Sequence, residues 1–266
     1  MIHIYPINRD FPGQPLTGEQ KHAKLYHYTS FETFVRIWLS KRLKFGDIKN
    51  VNDINECNKT FSSSLSHDYI NTFSLMKDIR NEIESYKQIS LSMDFDTYKK
   101  GCMSPIMWGY YGKKKGVCIE LDFDKIVFEN SMLFKKIKYV KHLKESHFIP
   151  PSLNGRNIVN KYVLKNKNEI FFTKLNDWKG ENEFRIISKI DNFLDISKAI
   201  SAIYITNNDS QECLFIEELV GKSIPVEEFY YEMSNGIKIP NIRNAKSRRE
   251  ILEYAKNDPT NVLNTF

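Results

Sequence analysis

Period-two runs and helical stripes follow one another along this chain without a regular strand–helix–strand rhythm, and that order narrows the fold more than any other feature. Residues 25–28 read as a short strand. A helix follows over about 30–41, with Phe31, Phe34, Val35 and Trp38 on one stripe and Thr29 with Glu32 as a capping box. Residues 65–87 predict a second helix, with Tyr69, Phe73, Met76, Ile79 and Ile83 as its apolar face, and 89–93 a strand. Ser104-Pro105 places a cap residue before a proline at the first helical position, a helix start. That helix is short, because Gly112 and Gly116 bracket a lysine loop directly after Tyr110-Tyr111. Further strands are expected at 117–121, 133–140, 181–188, 202–206 and 226–231, and helices at 157–175, 211–220 and 245–256. The predicted class is α+β, with mainly antiparallel, split β-sheets and flanking helices. A doubly wound parallel sheet does not fit this order.

Composition sets the outer bounds. With 266 residues, 41% of them hydrophobic, and with 18 Phe, 14 Tyr and 3 Trp, the chain can bury a sizeable core, which excludes a wholly disordered protein. One domain over 1–266 is expected, with 1–23 as an irregular arm. No run approaches the roughly 18 apolar residues of a membrane-spanning helix, and the first residues lack a basic region leading into an apolar run. The expectation is a cytoplasmic protein without a membrane partner. Cys57, Cys102, Cys118 and Cys213 are dispersed, with no C-x-x-C and no histidine at ligand spacing, so they read as reduced thiols and no metal is expected. The formal charge of +6 favours an anionic partner over a cationic one. Much of it is local, in Lys99, Lys100 and Lys113 to Lys115 and again in Lys135, Lys136, Lys138, Lys141 and Lys144.

Several signatures drop out. Gly221-Lys222-Ser223 resembles the end of a phosphate loop, but Ile216 stands where the required glycine belongs. Neither a G-x-S-x-G elbow, an H-E-x-x-H helix nor a G-x-G-x-x-G turn occurs. Asp94-Phe95-Asp96 and Asp122-Phe123-Asp124 each follow a strand and read as turn caps.

Three segments place polar groups where the local pattern expects core: His27-Tyr28-Thr29, Met107 to Tyr111, and Trp178 to Ile186. In the last, period two puts Glu181, Glu183 and Arg185 on one strand face, with Phe184 and Ile186 on the other. Two carboxylates on one face repel unless a cation sits between them. Arg185 can neutralise one, which leaves the second to meet something else. An exposed cross-strand salt bridge is the plainer reading of this trio, a buried histidine that of His27, and core anchors that of Trp108 and Trp178.

Taken together these segments resemble domain-of-unknown-function family 2971. Its L-Y-H-Y-T opening is matched at Leu25 to Thr29, and its N-D-x-x-E loop at Asn52, Asp53 and Glu56. Its P-x-M-W-x-x-Y segment is matched at Pro105 to Tyr111 and its G-V-C-I-E at Gly116 to Glu120. Its closing K-x-x-D-W-x-x-E-x-E-[WF]-R-I is matched at Lys174 to Ile186. The resemblance spans about 24–220 and leaves 221–266 as a C-terminal extension.

The order of histidine, tyrosine and late glutamate also looks like the H-Y-E triad of ADP-ribosyltransferases. That resemblance implies an ADP-ribosyltransferase-like fold and NAD as substrate. His27, with Thr29 beside it, would bond a ribose hydroxyl, and Tyr111 or Tyr110 would stack on the nicotinamide. Glu183 would hold the nicotinamide-ribose hydroxyl, Glu181 would complete an E-x-E pair, and Arg185 with Lys113 to Lys115 would meet the diphosphate. Cleavage of the nicotinamide–ribose bond develops positive charge on the sugar, which a nearby carboxylate stabilises. Glu183→Gln is accordingly expected to abolish nicotinamide release with little change in melting temperature. The implied function is transfer of ADP-ribose to a protein or nucleic-acid acceptor, in a toxin or phage-defence effector with a possible antitoxin or defence partner. NAD hydrolysis, a non-catalytic nucleotide-binding or sensor module of the same fold, and a nuclease-like effector are the alternatives.

Overall fold

The computed structural model describes residues 23–50, 53, 69–96, 99–112, 115–143, 156–206, 210–234 and 236–244. In chain order its strands are β1 (Lys24–Thr29), β2 (Arg42–Lys44), β3 (Gly46–Asp47), β4 (Lys87–Met93), β5 (Gly116–Asp122), β6 (Leu133–Lys136) and β7 (Lys138–Val140). They continue with β8 (Thr173–Leu175), β9 (Glu183–Ser188), β10 (Phe193–Asp195), β11 (Ile200–Thr206), β12 (Val226–Ser234) and β13 (Ile237–Asn244). The α-helices are α1 (Phe31–Ser40), α2 (Tyr69–Glu84), α3 (Pro105–Tyr110), α4 (Arg156–Lys165), α5 (Lys167–Phe171) and α6 (Ser210–Val220). The described residues gather into two compact units. The first draws on the described residues within 43–90 and 127–194, the second on those within 23–42, 91–126 and 195–244.

In the second unit β1 runs antiparallel to β5 along its whole length and pairs antiparallel with β4 at Leu25↔Met93 and Tyr26↔Ser92. Next to β5 comes β11, antiparallel, then β12, parallel to β11, and β13, antiparallel to β12. The α+β class holds, but the sheet is mixed rather than mainly antiparallel. Helix α6 lies between β11 and β12 in sequence and returns the chain to the same end of the sheet, which makes those two strands parallel. The pleat sorts the side chains. Tyr26, Tyr28, Cys118, Ala202, Tyr204 and Phe229 form one buried cluster with Cys102, Met107 and Trp108. Trp108 stacks on Phe229 with centroids 6.0 Å apart and meets Tyr28 edge-on at 5.0 Å.

Two contacts tie the segment before α3 to this cluster. The Tyr28 hydroxyl donates to the Gly101 carbonyl, and Trp108 Nε1 donates to the Cys102 carbonyl at 2.8 Å. A Cβ on Gly101 would sit 2.7 Å from Tyr26 Cε2 and 2.8 Å from the Met93 carbonyl oxygen, so only glycine fits. Helix α1 buries Phe34 and Trp38 of the expected stripe and Ile37 beside them, while Phe31 and Val35 are half-buried. Its cap is Ser30, whose side chain accepts from the Thr33 N–H at 3.3 Å, and not Thr29, which is the last residue of β1. Asp94 and Asp96 accept backbone N–H groups of Gly101 and Lys99, both at 2.8 Å, as turn caps do.

In the first unit α2, α4 and α5 share one core. Ile79 and Ile83 of α2 meet Val159, Tyr162 and Val163 of α4, Ile170 and Phe171 of α5, and Ile187 of β9. Strand β9 pairs antiparallel with β6, and β7 pairs parallel with β8. The helix expected over 157–175 is broken. At Asn166 the side chain donates to the Tyr162 carbonyl at 2.9 Å beside the backbone N–H, and the chain resumes as α5 and then β8. The strand expected from 181 starts at Glu183, because Asn182 turns the backbone at φ 44°. Residues 65–68 and the 245–256 helix lie outside the described residues. No helix among the described residues is long and apolar enough to cross a membrane.

Candidate functional site

The segment from Lys174 to Arg185 builds an ion network inside the first unit. Lys174 stands on β8, whose parallel partner β7 sets it at Tyr139↔Lys174. A 3-10 turn over Asn176–Glu181 follows, then the left-handed Asn182, then β9 with Glu183 and Arg185 on the same face. Lys174 Nζ reaches Glu181 Oε2 at 2.8 Å and Glu183 Oε2 at 3.2 Å. Arg185 grips Glu183 with two nitrogens, Nε to Oε1 at 2.7 Å and Nη2 to Oε2 at 2.9 Å. Its Nη1 donates to the Phe171 carbonyl at 2.8 Å, and the Glu183 N–H donates to the Tyr139 hydroxyl at 2.8 Å. The Lys174 ammonium also lies over the Trp178 ring, 4.9 Å from its centroid.

All four ionic side chains are buried, with Glu183 and Arg185 each only 2% exposed. Two cations face two carboxylates, so the network is neutral. Burial alone would raise the Glu183 carboxyl. The charges of Arg185 and Lys174 outweigh it, with hydrogen bonds from Arg185 and Ser90 adding to them, and hold it down at about 2. The Tyr139 hydroxyl moves the other way, pushed up chiefly by burial. Both Glu183 oxygens are engaged, which leaves that carboxylate as a closed counter-ion in this conformation.

The remaining predicted residues lie in the second unit. His27 and Thr29 are on β1, opposite Ile119 and Val117 of β5. The pleat turns them to the face opposite Tyr26 and Tyr28. Tyr111 packs against the Tyr26–Tyr28–Trp108 cluster, and Tyr110 is 66% exposed. His27 and Tyr111 are thus on opposite faces of β1, whereas Glu183 and Arg185 pair on one face of β9 and Glu181, from the turn before it, joins them through Lys174. Lys115 is exposed, and Lys113 and Lys114 lie outside the described residues, as do Asn52 and Glu56 of the acidic loop. A Cβ on Gly116 would meet the Thr29 carbonyl oxygen at 2.6 Å and that of Gly112 at 2.7 Å, which closes the base of the lysine loop.

Sequence reasoning assigned no role to Lys174 or Tyr139. The signal for Lys174 was present as charge balance, since one arginine cannot neutralise two carboxylates. A second buried network, in the second unit, went unnoticed. There Glu120 of β5 accepts from Tyr204 at 2.8 Å and Ser201 at 2.7 Å and pairs with Lys24 at 3.2 Å. Among the described residues no group of three or more histidine, cysteine or acidic side chains is placed to hold a metal ion.

No curated protein and no solved structure matches this chain. Residues 107–186 match the model of a family described as "Protein of unknown function (DUF2971)". The match runs from Met107 on α3, through β5, to the network on β9, covering under a third of the chain. Over those residues the chain is similar to a family whose description states no activity.

Proposed function

We propose that the protein is a nucleotide-binding or sensor module resembling the ADP-ribosyltransferases, one that binds NAD without cleaving it. One observation carries the reading. Glu183, the carboxylate that must face the ribose in a transferase, is buried and has both oxygens held by Arg185 and Lys174. A catalytic carboxylate stabilises developing charge only if it is in contact with the reacting sugar. A binding module keeps the basic excess that attracts a diphosphate and needs no carboxylate at the ribose.

Transfer of ADP-ribose to a protein or nucleic-acid acceptor is the second reading, and one observation favours it. Glu183 is held as a carboxylate, the charge state that oxocarbenium stabilisation requires. On that reading a bound dinucleotide draws Arg185 and Lys174 onto its phosphates and uncovers Glu183. Incubating purified protein with NAD separates the two, with nicotinamide release followed by chromatography and bound NAD by equilibrium dialysis. The binding module retains NAD and releases no nicotinamide. Release that disappears in Glu183→Gln, in protein that remains folded, establishes the transferase or hydrolase reading instead.

A further inference from the structure

The lysine-rich run at 133–140 takes part in neither reading, yet its pleat sorts it with unusual clarity. Leu133, Lys135, Ile137 and Tyr139 face the helical core and the ion network. Lys135 donates to Asn168 Oδ1 at 3.1 Å, and Tyr139 accepts from the Glu183 N–H. The alternate residues Phe134, Lys136 and Lys138 share the other face, with Phe134 opposite Ile186 and Lys136 opposite Phe184. The run stays extended where β6 passes into β7, because Ile137 N–H donates to the Glu183 carbonyl and Lys138 N–H to the Phe172 carbonyl, both at 2.9 Å. Lys136 and Lys138 are exposed, about 6.6 Å apart along the strand. At the end of their row Phe128 stacks on Phe134 with centroids 4.1 Å apart and planes 26° from parallel, and Phe184 backs Phe134 at 6.2 Å. No acidic residue occurs between Glu129 and Glu145 in the sequence.

We propose that this exposed strand edge binds single-stranded nucleic acid, with Lys136 and Lys138 on successive phosphates and a base added to the Phe128–Phe134 stack. A row of cations beside a flat aromatic platform is what a single strand needs, since its backbone is anionic and its bases present open π-faces. A duplex offers no such base faces along its length. Anionic lipid fits less well, because both phenylalanines are half-buried and stacked flat rather than projecting as anchors. The proposal does not depend on NAD binding or turnover.

The test is fluorescence anisotropy with a labelled oligothymidylate of about 12 nucleotides, titrated with full-length protein over about 50 to 200 mM salt. Lys136→Glu/Lys138→Glu is expected to lose most of the binding. The milder Lys136→Gln/Lys138→Gln, which guards against misfolding, is expected to flatten the log–log salt slope by about 1.4, at about 0.7 per phosphate contact. Phe128→Ala is expected to weaken binding at least about fivefold, the lower end of a lost base stack. Lys198→Glu/Lys222→Glu/Lys238→Glu changes more charge on exposed positions of the second unit and is expected to retain binding. Failure of the unaltered protein to bind, equal loss in that control variant, or binding to phosphatidylserine vesicles but not to the oligonucleotide overturns the proposal.

Discussion

At the scale of single residues, Glu183 and its partners decide most of the behaviour. Glu183→Gln leaves the buried Lys174 and Arg185 with one carboxylate, Glu181, to balance them. Removing one member of a buried ion pair costs about 3–5 kcal/mol, so urea unfolding is expected to show a loss of that size. The same substitution is silent for stability only if Glu183 lines an open cleft, as the triad resemblance implies. A loss below about 1 kcal/mol therefore contradicts the network as the dominant role of this carboxylate. The alternation of Glu183 and Arg185 made their pairing legible from sequence. Charge balance called for a second cation, but its identity was not legible, because Lys174 arrives from a different strand, and register between strands is not written in local spacing.

At the scale of elements, two tight places test why the chain turns where it does. Gly101→Ala drives a methyl group into the Tyr26 ring and the Met93 carbonyl and is expected to cost about 1–3 kcal/mol, read as a lowered melting temperature. Asn182 holds a left-handed turn so that Glu181, from the preceding 3-10 turn, and Glu183, from β9, converge on Lys174. Asn182→Gly is expected to be nearly neutral, and Asn182→Ala to cost about 1 kcal/mol more than glycine in the same unfolding measurement. Most strands and the start of α3 were readable from period-two runs and from Ser104-Pro105, because those signals are local. The break at Asn166 and the turn at Asn182 were not, since asparagine sits readily in helix, cap or left-handed turn and the packing around it makes the choice. The parallel pairing of β11 and β12 was half legible. Strand, helix and strand were all visible, and what sequence lacked was which strands become neighbours.

At the scale of the whole molecule, the predicted triad is distributed between two compact units, with His27, Tyr110 and Tyr111 in the second and Glu183 in the first. Spacing along a sequence says nothing of such a division, so a linear motif order is weak evidence for a shared pocket. The ion network also sets how stability responds to acid. The Glu183 carboxyl has an ordinary value near 4.5 and is held at about 2 in the folded protein. A depressed carboxylate contributes its stability in full above the unfolded value and loses it as pH falls toward the folded one. About 3 kcal/mol is therefore expected to disappear between about pH 5 and pH 2, and Glu183→Gln to remove that part of the pH dependence. The most direct measurement is a pH titration of the Glu183 side-chain carboxyl by carbon-detected NMR, assigned through the Glu183→Gln variant. A resonance that stays in its ionised position down to about pH 3 is the predicted result. A midpoint at or above the ordinary 4.5 contradicts the closed ion network on which the binding-module reading stands.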